Sequence, residues 1–153
     1  MRVRTTLRLA TKTWCLAAIV MLWGCSGQTE PRVEVWQDGV YQPRVVSTYE
    51  ISGKRDGAMT KAVATFTLET GERLRLELEV VYNPTPSLGS GRWRIDGSLA
   101  GSGEVRPESI RFTGGQAQGP SLGGRFRLEE NGNTRFRVVL PMRPIDQRKW
   151  TVE

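Results

Sequence analysis

The sequence predicts an all-β domain, a small antiparallel barrel or β-sandwich of about eight strands, preceded by a signal peptide. Three observations carry this prediction. Apolar and polar residues alternate through long stretches after residue 32. Glycine, asparagine and aspartate interrupt those stretches at regular intervals, as turns between short strands require. No amphipathic helical period of useful length follows residue 31.

The clearest strand is Leu74, Leu76, Leu78, Val80 and Tyr82 alternating with Arg73, Arg75, Glu77, Glu79 and Val81. Before it, Ala62, Ala64, Phe66 and Leu68 alternate with Val63, Thr65 and Thr67. Thr70-Gly71-Glu72 joins the two as a hairpin, with Glu69 expected opposite Arg73, Leu68 opposite Leu74 and Phe66 opposite Leu76. A second hairpin pairs Phe126 and Leu128 with Phe136, Val138 and Leu140. A three-residue loop at Asn131-Gly132-Asn133 would set Leu128 against Phe136 and Glu129 against Arg135. Pro141 and Pro144 interrupt this pattern, and a short final strand is expected within Arg148 to Val152. Further strands are expected at Val33 to Trp36, Arg44 to Ile51, Arg92 to Leu99 and Glu108 to Thr113. Asp38-Gly39, Asp56-Gly57, Asn83-Pro84 and Gly101 to Gly103 read as turns, and Gly114 to Gly124 as one long loop.

Composition narrows the chemistry. The chain has 153 residues, no histidine and two cysteines. Without histidine there is no Ser-His-Asp or Cys-His catalysis and no His-ligated metal. Glu129 and Glu130 are adjacent, so they point to opposite sides of a strand and cannot act as a catalytic pair. Asp38 and Asp56 fall in turns, Asp96 precedes Gly97 as a strand or bulge residue, and Asp146 lies in a turn-like stretch. No Gly-x-Ser-x-Gly motif is present, and the Gly-Gly pairs precede no helix. The expected protein is therefore not an enzyme, and it needs neither cofactor nor metal.

The first residues give an address. Arg2, Arg4, Arg8 and Lys12 precede an apolar run from Trp14 to Gly24, which at 11 residues is too short to span a bilayer. Leu22-Trp23-Gly24-Cys25 resembles the lipobox of bacterial lipoproteins, with Trp23 where a small residue is usual. The resemblance implies cleavage before Cys25 and acylation of that cysteine by palmitate-type chains. It also implies, from Ser26 after the cysteine, sorting to the outer membrane of a Gram-negative cell, with the domain facing the periplasm. The expected organisation is a signal peptide at 1–24, a lipidated cysteine and tether at 25–32, and one β domain at 33–153. Cleavage leaves 18 of the 22 basic residues against all 16 acids, a formal charge near +2. That balance argues against a nucleic-acid partner. Cys15 leaves with the signal, so no disulfide or thiolate site remains in the mature domain.

Two features suggest surfaces. PSLGSGRWRI at 86–95 and PSLGGRFRL at 120–128 echo each other, as two similar entries from loop to strand. Together with RLRL at 73–76 and RFRV at 135–138, they place Arg73, Arg75, Arg92, Arg94, Arg125, Arg127, Arg135 and Arg137 on one outward face. Guanidinium rows suit phosphate or carboxylate recognition. Glu69, Glu77, Glu79, Glu129 and Glu130 fall on or near that face and would neutralise much of it. Trp93 alternates with Ile95 and reads as core, whereas Trp36 and Trp150 read as surface anchors or barrel plugs.

Three functions follow as expectations. The leading one is an accessory or assembly factor, held in the membrane through Cys25 and binding another envelope protein by an exposed strand edge. The second is a barrel holding a lipid or other apolar molecule against Phe66, Leu76, Leu78, Trp93, Phe126 and Phe136. The third is a structural envelope protein that touches lipopolysaccharide or peptidoglycan through the arginine face.

Overall fold

A computed structural model describes residues 30–82, 85–113 and 120–145, and the backbone of 150–152. The lipobox, Cys25, Asn83-Pro84 and Asp146 lie outside the described residues, as does the side chain of Trp150. Nine strands form an antiparallel sheet curled into a half-barrel: β1 (Arg32–Gln37), β2 (Val40–Arg44), β3 (Val46–Asp56), β4 (Met59–Leu68), β5 (Arg73–Tyr82), β6 (Pro86–Asp96), β7 (Gly101–Thr113), β8 (Ser121–Glu130) and β9 (Asn133–Pro144). A short β10 (Trp150–Val152) adds to β3 in parallel. Their order across the sheet is β10-β3-β4-β5-β6-β7-β8-β9-β1-β2.

The curl follows from connectivity. β2 lies at one end of this order and β3 beside the other end, yet only Val45 separates them in sequence. One residue spans about 3.5 Å, so the sheet must bend until its two margins approach. Side chains confirm the approach: the Arg143 guanidinium of β9 stands 5.7 Å from the Tyr49 ring of β3. The Val45 carbonyl also accepts a 3.0 Å bond from the Glu69 amide.

Curling turns the apolar face of every strand inward. Phe66, Leu74, Leu76, Leu78, Phe126 and Phe136 are at most 1% exposed, and Trp93 is 2% exposed. Trp93 meets Phe136 edge to face at 5.3 Å. The residues expected to line a ligand cavity therefore pack on one another in a single cluster. Burying each such aromatic contributes about 2–3 kcal/mol.

The turns refine the expected registers. Asp38-Gly39 and Asn131-Gly132 are two-residue turns with both residues at positive φ, the type I′ geometry that matches strand twist. At β8–β9 the expected three-residue loop is thus replaced by this tighter turn. Leu128 still faces Phe136, but through a bulge, and Glu129 faces Thr134 rather than Arg135. At β4–β5 the loop is Glu69-Thr70-Gly71, with Gly71 at φ +95°. Phe66 consequently faces Leu74 and Ala64 faces Leu76, where Leu68–Leu74 and Phe66–Leu76 were expected. The inward faces are unchanged, because the shift keeps the period of two.

Gly101 to Gly103 is strand, not turn, since the chain reverses at residues 97–100 with Gly97 at φ +106°. The expected strand Arg92 to Leu99 accordingly stops at Asp96. Gly123 and Gly124 lie within β8, so the expected long loop is shorter, and its residues 114–119 fall outside the described residues. β9 passes through Pro141 at an irregularity in its ladder, where proline's missing N–H is tolerated.

Glu72 ties two of these reversals together. Its carboxylate accepts from the hydroxyls of Ser98 and Thr70. The Ser98 bond first, then the Thr70 bond, favour the charged form and hold the carboxyl below the usual glutamate range. Such a group adds stability above its ordinary value near 4.5, and that stability is lost as pH falls through the lowered value. Replacing Glu72 by Gln is therefore expected to flatten the acid side of the stability curve, read as urea midpoints from neutral into acid pH. Curves that stay parallel would contradict this role.

Candidate functional site

The sheet parts in one place. β6 and β7 pair only from Arg92↔Glu104 to Ile95↔Gly101. Beyond Glu104, β7 pairs with β8 alone, while the Pro86–Gly91 end of β6 pairs with β5 alone. β7 thus begins as the partner of β6 and continues as the partner of β8. A cleft of about 860 Å³ opens where the strands separate. Leu88, Gly89, Ser90 and Gly91 line one wall, and Val105, Arg106 and Pro107 the other. Outward side chains of β4 and β5, including Lys61, Arg75, Glu77 and Glu79, border it.

The packing around β7 explains the parting. Trp93 faces Gly103 across the ladder, and its indole N–H donates to the Glu129 carbonyl of β8 at 3.0 Å. The indole therefore reaches past β7 to the next strand. A Cβ on Gly103 would overlap that same carbonyl and lie 2.9 Å from the indole nitrogen. A Cβ on Gly101 would meet Arg135 and Glu130. Both glycines are needed because β7 crosses under these groups without room for a side chain. On the other side of the fork, Val105 occupies the space a side chain at Gly91 would fill, at 2.8 Å.

The two edges differ. On β6, Gly89 and Gly91 carry no side chains of their own, and Val81, Val105, Leu88 and Leu78 pack over them. On β7, Pro107 has no N–H to offer, which blunts that edge. The echoed segments hold equivalent places: both are strand from their serine onward, and Trp93 and Phe126 both enter the core. Only the β6 copy has a free edge beside it among the described residues.

The arginine row is outward, as expected, but largely occupied. Arg75 pairs with Glu77 at 2.9 Å, Arg94 with Asp96 at 2.9 Å and Arg127 with Glu108 at 3.6 Å. Arg137 forks onto one oxygen of the buried Glu34, through Nε at 2.6 Å and Nη2 at 2.5 Å. That bond raises the Arg137 pKa above its ordinary value, and its guanidinium also stacks on Tyr41 at 3.9 Å. Arg135 leaves the row. The bulge after Leu128 turns it toward Glu130 at 2.8 Å and the carbonyls of Leu99 and Ala100. Among the described residues, Arg73, Arg92 and Arg125 hold no ion pair. Exposed pairs of this kind contribute about 0.2–1 kcal/mol each. Arg106, which the sequence reading does not single out, bridges Glu104 at 2.9 Å and Glu129 at 3.4 Å on the rim of the cleft. Glu129 and Glu130 serve different sides of β8, as adjacent strand residues must.

No group of three or more Cys, Asp or Glu side chains converges among the described residues in a way that could hold a metal. Comparison with protein-family models, curated proteins and solved structures finds no match to this chain.

Gly103→Ala drives a methyl group into backbone and is expected to cost about 3 kcal/mol or more. Gly39→Ala, which meets nothing within 4 Å but has φ +81°, should cost about 1 kcal/mol. Equal losses in chemical denaturation would contradict the close crossing at Gly103.

Proposed function

We propose that this protein is a non-catalytic outer-membrane lipoprotein, anchored through Cys25 and facing the periplasm. In this reading it acts as an accessory or assembly factor that receives an extended segment of another envelope protein on the open edge of β6. The observation that carries this reading is the fork after Arg92↔Glu104, which leaves the Pro86–Gly91 edge without a neighbouring strand. Unpaired strand edges bind extended peptides by completing main-chain hydrogen bonds, and side-chain pockets then select the sequence. Leu88 and Val105 offer apolar contact inside the cleft, and Arg92, Arg106 and Glu104 offer charge at its rim. Pro107 restricts pairing to the β6 side.

The other expected functions gain less support. The six residues that would hold an apolar ligand are buried against each other. Five of the eight arginines that would hold a polyanion already hold carboxylates of the same chain.

The test is a photo-activated crosslinker placed at Ser90 of the full chain in cells, with Asn133 as the control position. One envelope protein joined from position 90 and absent from position 133 is expected. Nothing from position 90, or the same proteins from both positions, would overturn the reading.

A further inference from the structure

We propose that the corner where the chain enters β1 rests on the headgroup layer of the bilayer that holds Cys25. Val45, Tyr49 and Met142 are its apolar contacts, and Arg143 its cation. This rests on the lipoprotein reading above, and it adds a second surface, separate from the β6 edge.

Three elements meet at this corner. The chain arrives through Glu30 and Pro31, β2 passes into β3 through Val45, and β9 ends beyond Met142 and Arg143. Glu30, Pro31 and Val46 to Tyr49 share a recess of about 330 Å³. Arg143 stands over Tyr49 at 5.7 Å and lies 3.8 Å from the Glu30 carboxylate. Val45 is 60% exposed, Tyr49 38% and Met142 37%, three of the six large apolar side chains exposed among the described residues, with Trp36, Val40 and Tyr82 the others. Val45 cannot withdraw, because its carbonyl is held by the Glu69 amide and it is the sole link between two strands.

Chain length selects the occupant. Five residue steps separate Cys25 from Glu30. Fully extended, they reach about 18 Å. An acylated Cys25 at the hydrocarbon boundary therefore keeps this corner within reach of the headgroups, a layer roughly 5–7 Å deep on each side. The exposed Trp36 and Val40 lie at the other end of the β1–β2 hairpin, about 13–17 Å further along the strands. Tyrosine and arginine suit such a layer, since each combines an apolar body with a polar end that stays hydrated.

The test uses the full-length chain purified from membranes. An acylated Cys25 has no free thiol, so Val45→Cys or, separately, Asn133→Cys supplies a single site for a fluorescent dye. Each protein is placed in phosphatidylethanolamine–phosphatidylglycerol vesicles containing a headgroup nitroxide lipid. Severalfold stronger quenching at position 45 than at position 133 is expected, and Met142→Cys should behave like position 45 if Val45→Cys impairs folding. Equal quenching at all positions, in a chain whose N-terminal peptide carries acyl mass, overturns this inference alone. A peptide without acyl mass, with Cys25 itself labelled, overturns the lipoprotein reading beneath it.

Discussion

Trp93, Gly103 and the Glu129 carbonyl form the constraint on which the rest depends. An indole lying over β7 and bonded to β8 forces three strands into a space where only glycine fits on the middle one. β7 can then leave β6 after four paired residues and continue beside β8. The sheet curls on both sides of this point, and its aromatic core closes over Trp93 and Phe136. The open edge of β6 is the other product of the same crossing. A fold that paired β6 and β7 along their full lengths would have one open strand edge fewer.

A second constraint holds the N-terminal hairpin. β1 and β2 come first in the chain but pair beside β9, near its end. Four ladder pairs join β1 to β9, and the forked Arg137–Glu34 bond lies across them. Glu34 is 6% exposed, so an unpaired charge there would be costly, and the Arg137 guanidinium offsets that cost. Elsewhere on the outward face, like charges stand opposite each other, at Arg75↔Arg94 and Arg127↔Arg137. Each is relieved by a carboxylate on its own or a neighbouring strand, which leaves the face mixed in sign.

Much of the fold was legible in the sequence because the period of two is insensitive to small register errors. The pattern alone puts the β4–β5 loop one residue late, yet Leu74, Leu76, Leu78, Phe66 and Ala64 face inward in either register. At β8–β9 the pairing of Leu128 with Phe136 was right and the turn was wrong: Asn131-Gly132 favours the tight type I′ geometry, and a bulge absorbs the extra residue. The fork was not legible. Gly101 and Gly103 look like turn residues in one dimension, and their need for glycine arises from Trp93 and from a strand 26 residues downstream. The free edge is equally silent, since it depends on which strands fail to pair. The echo of PSLGSGRWRI in PSLGGRFRL marks two similar strand entries, β6 and β8, but not what distinguishes the two copies.

Strand addition at β6 requires that its Pro86–Gly91 edge be open in the folded protein. Native-state hydrogen exchange measured amide by amide tests that directly. Arg92 to Ile95, paired on both sides, should exchange only with deep opening of the sheet. Within Ser87 to Gly91, the amides directed at β5 should be protected and the intervening ones should exchange orders of magnitude faster. Uniform protection across Ser87 to Ile95, continuing into Val105, would mean that β6 and β7 are zipped together and that no edge is on offer.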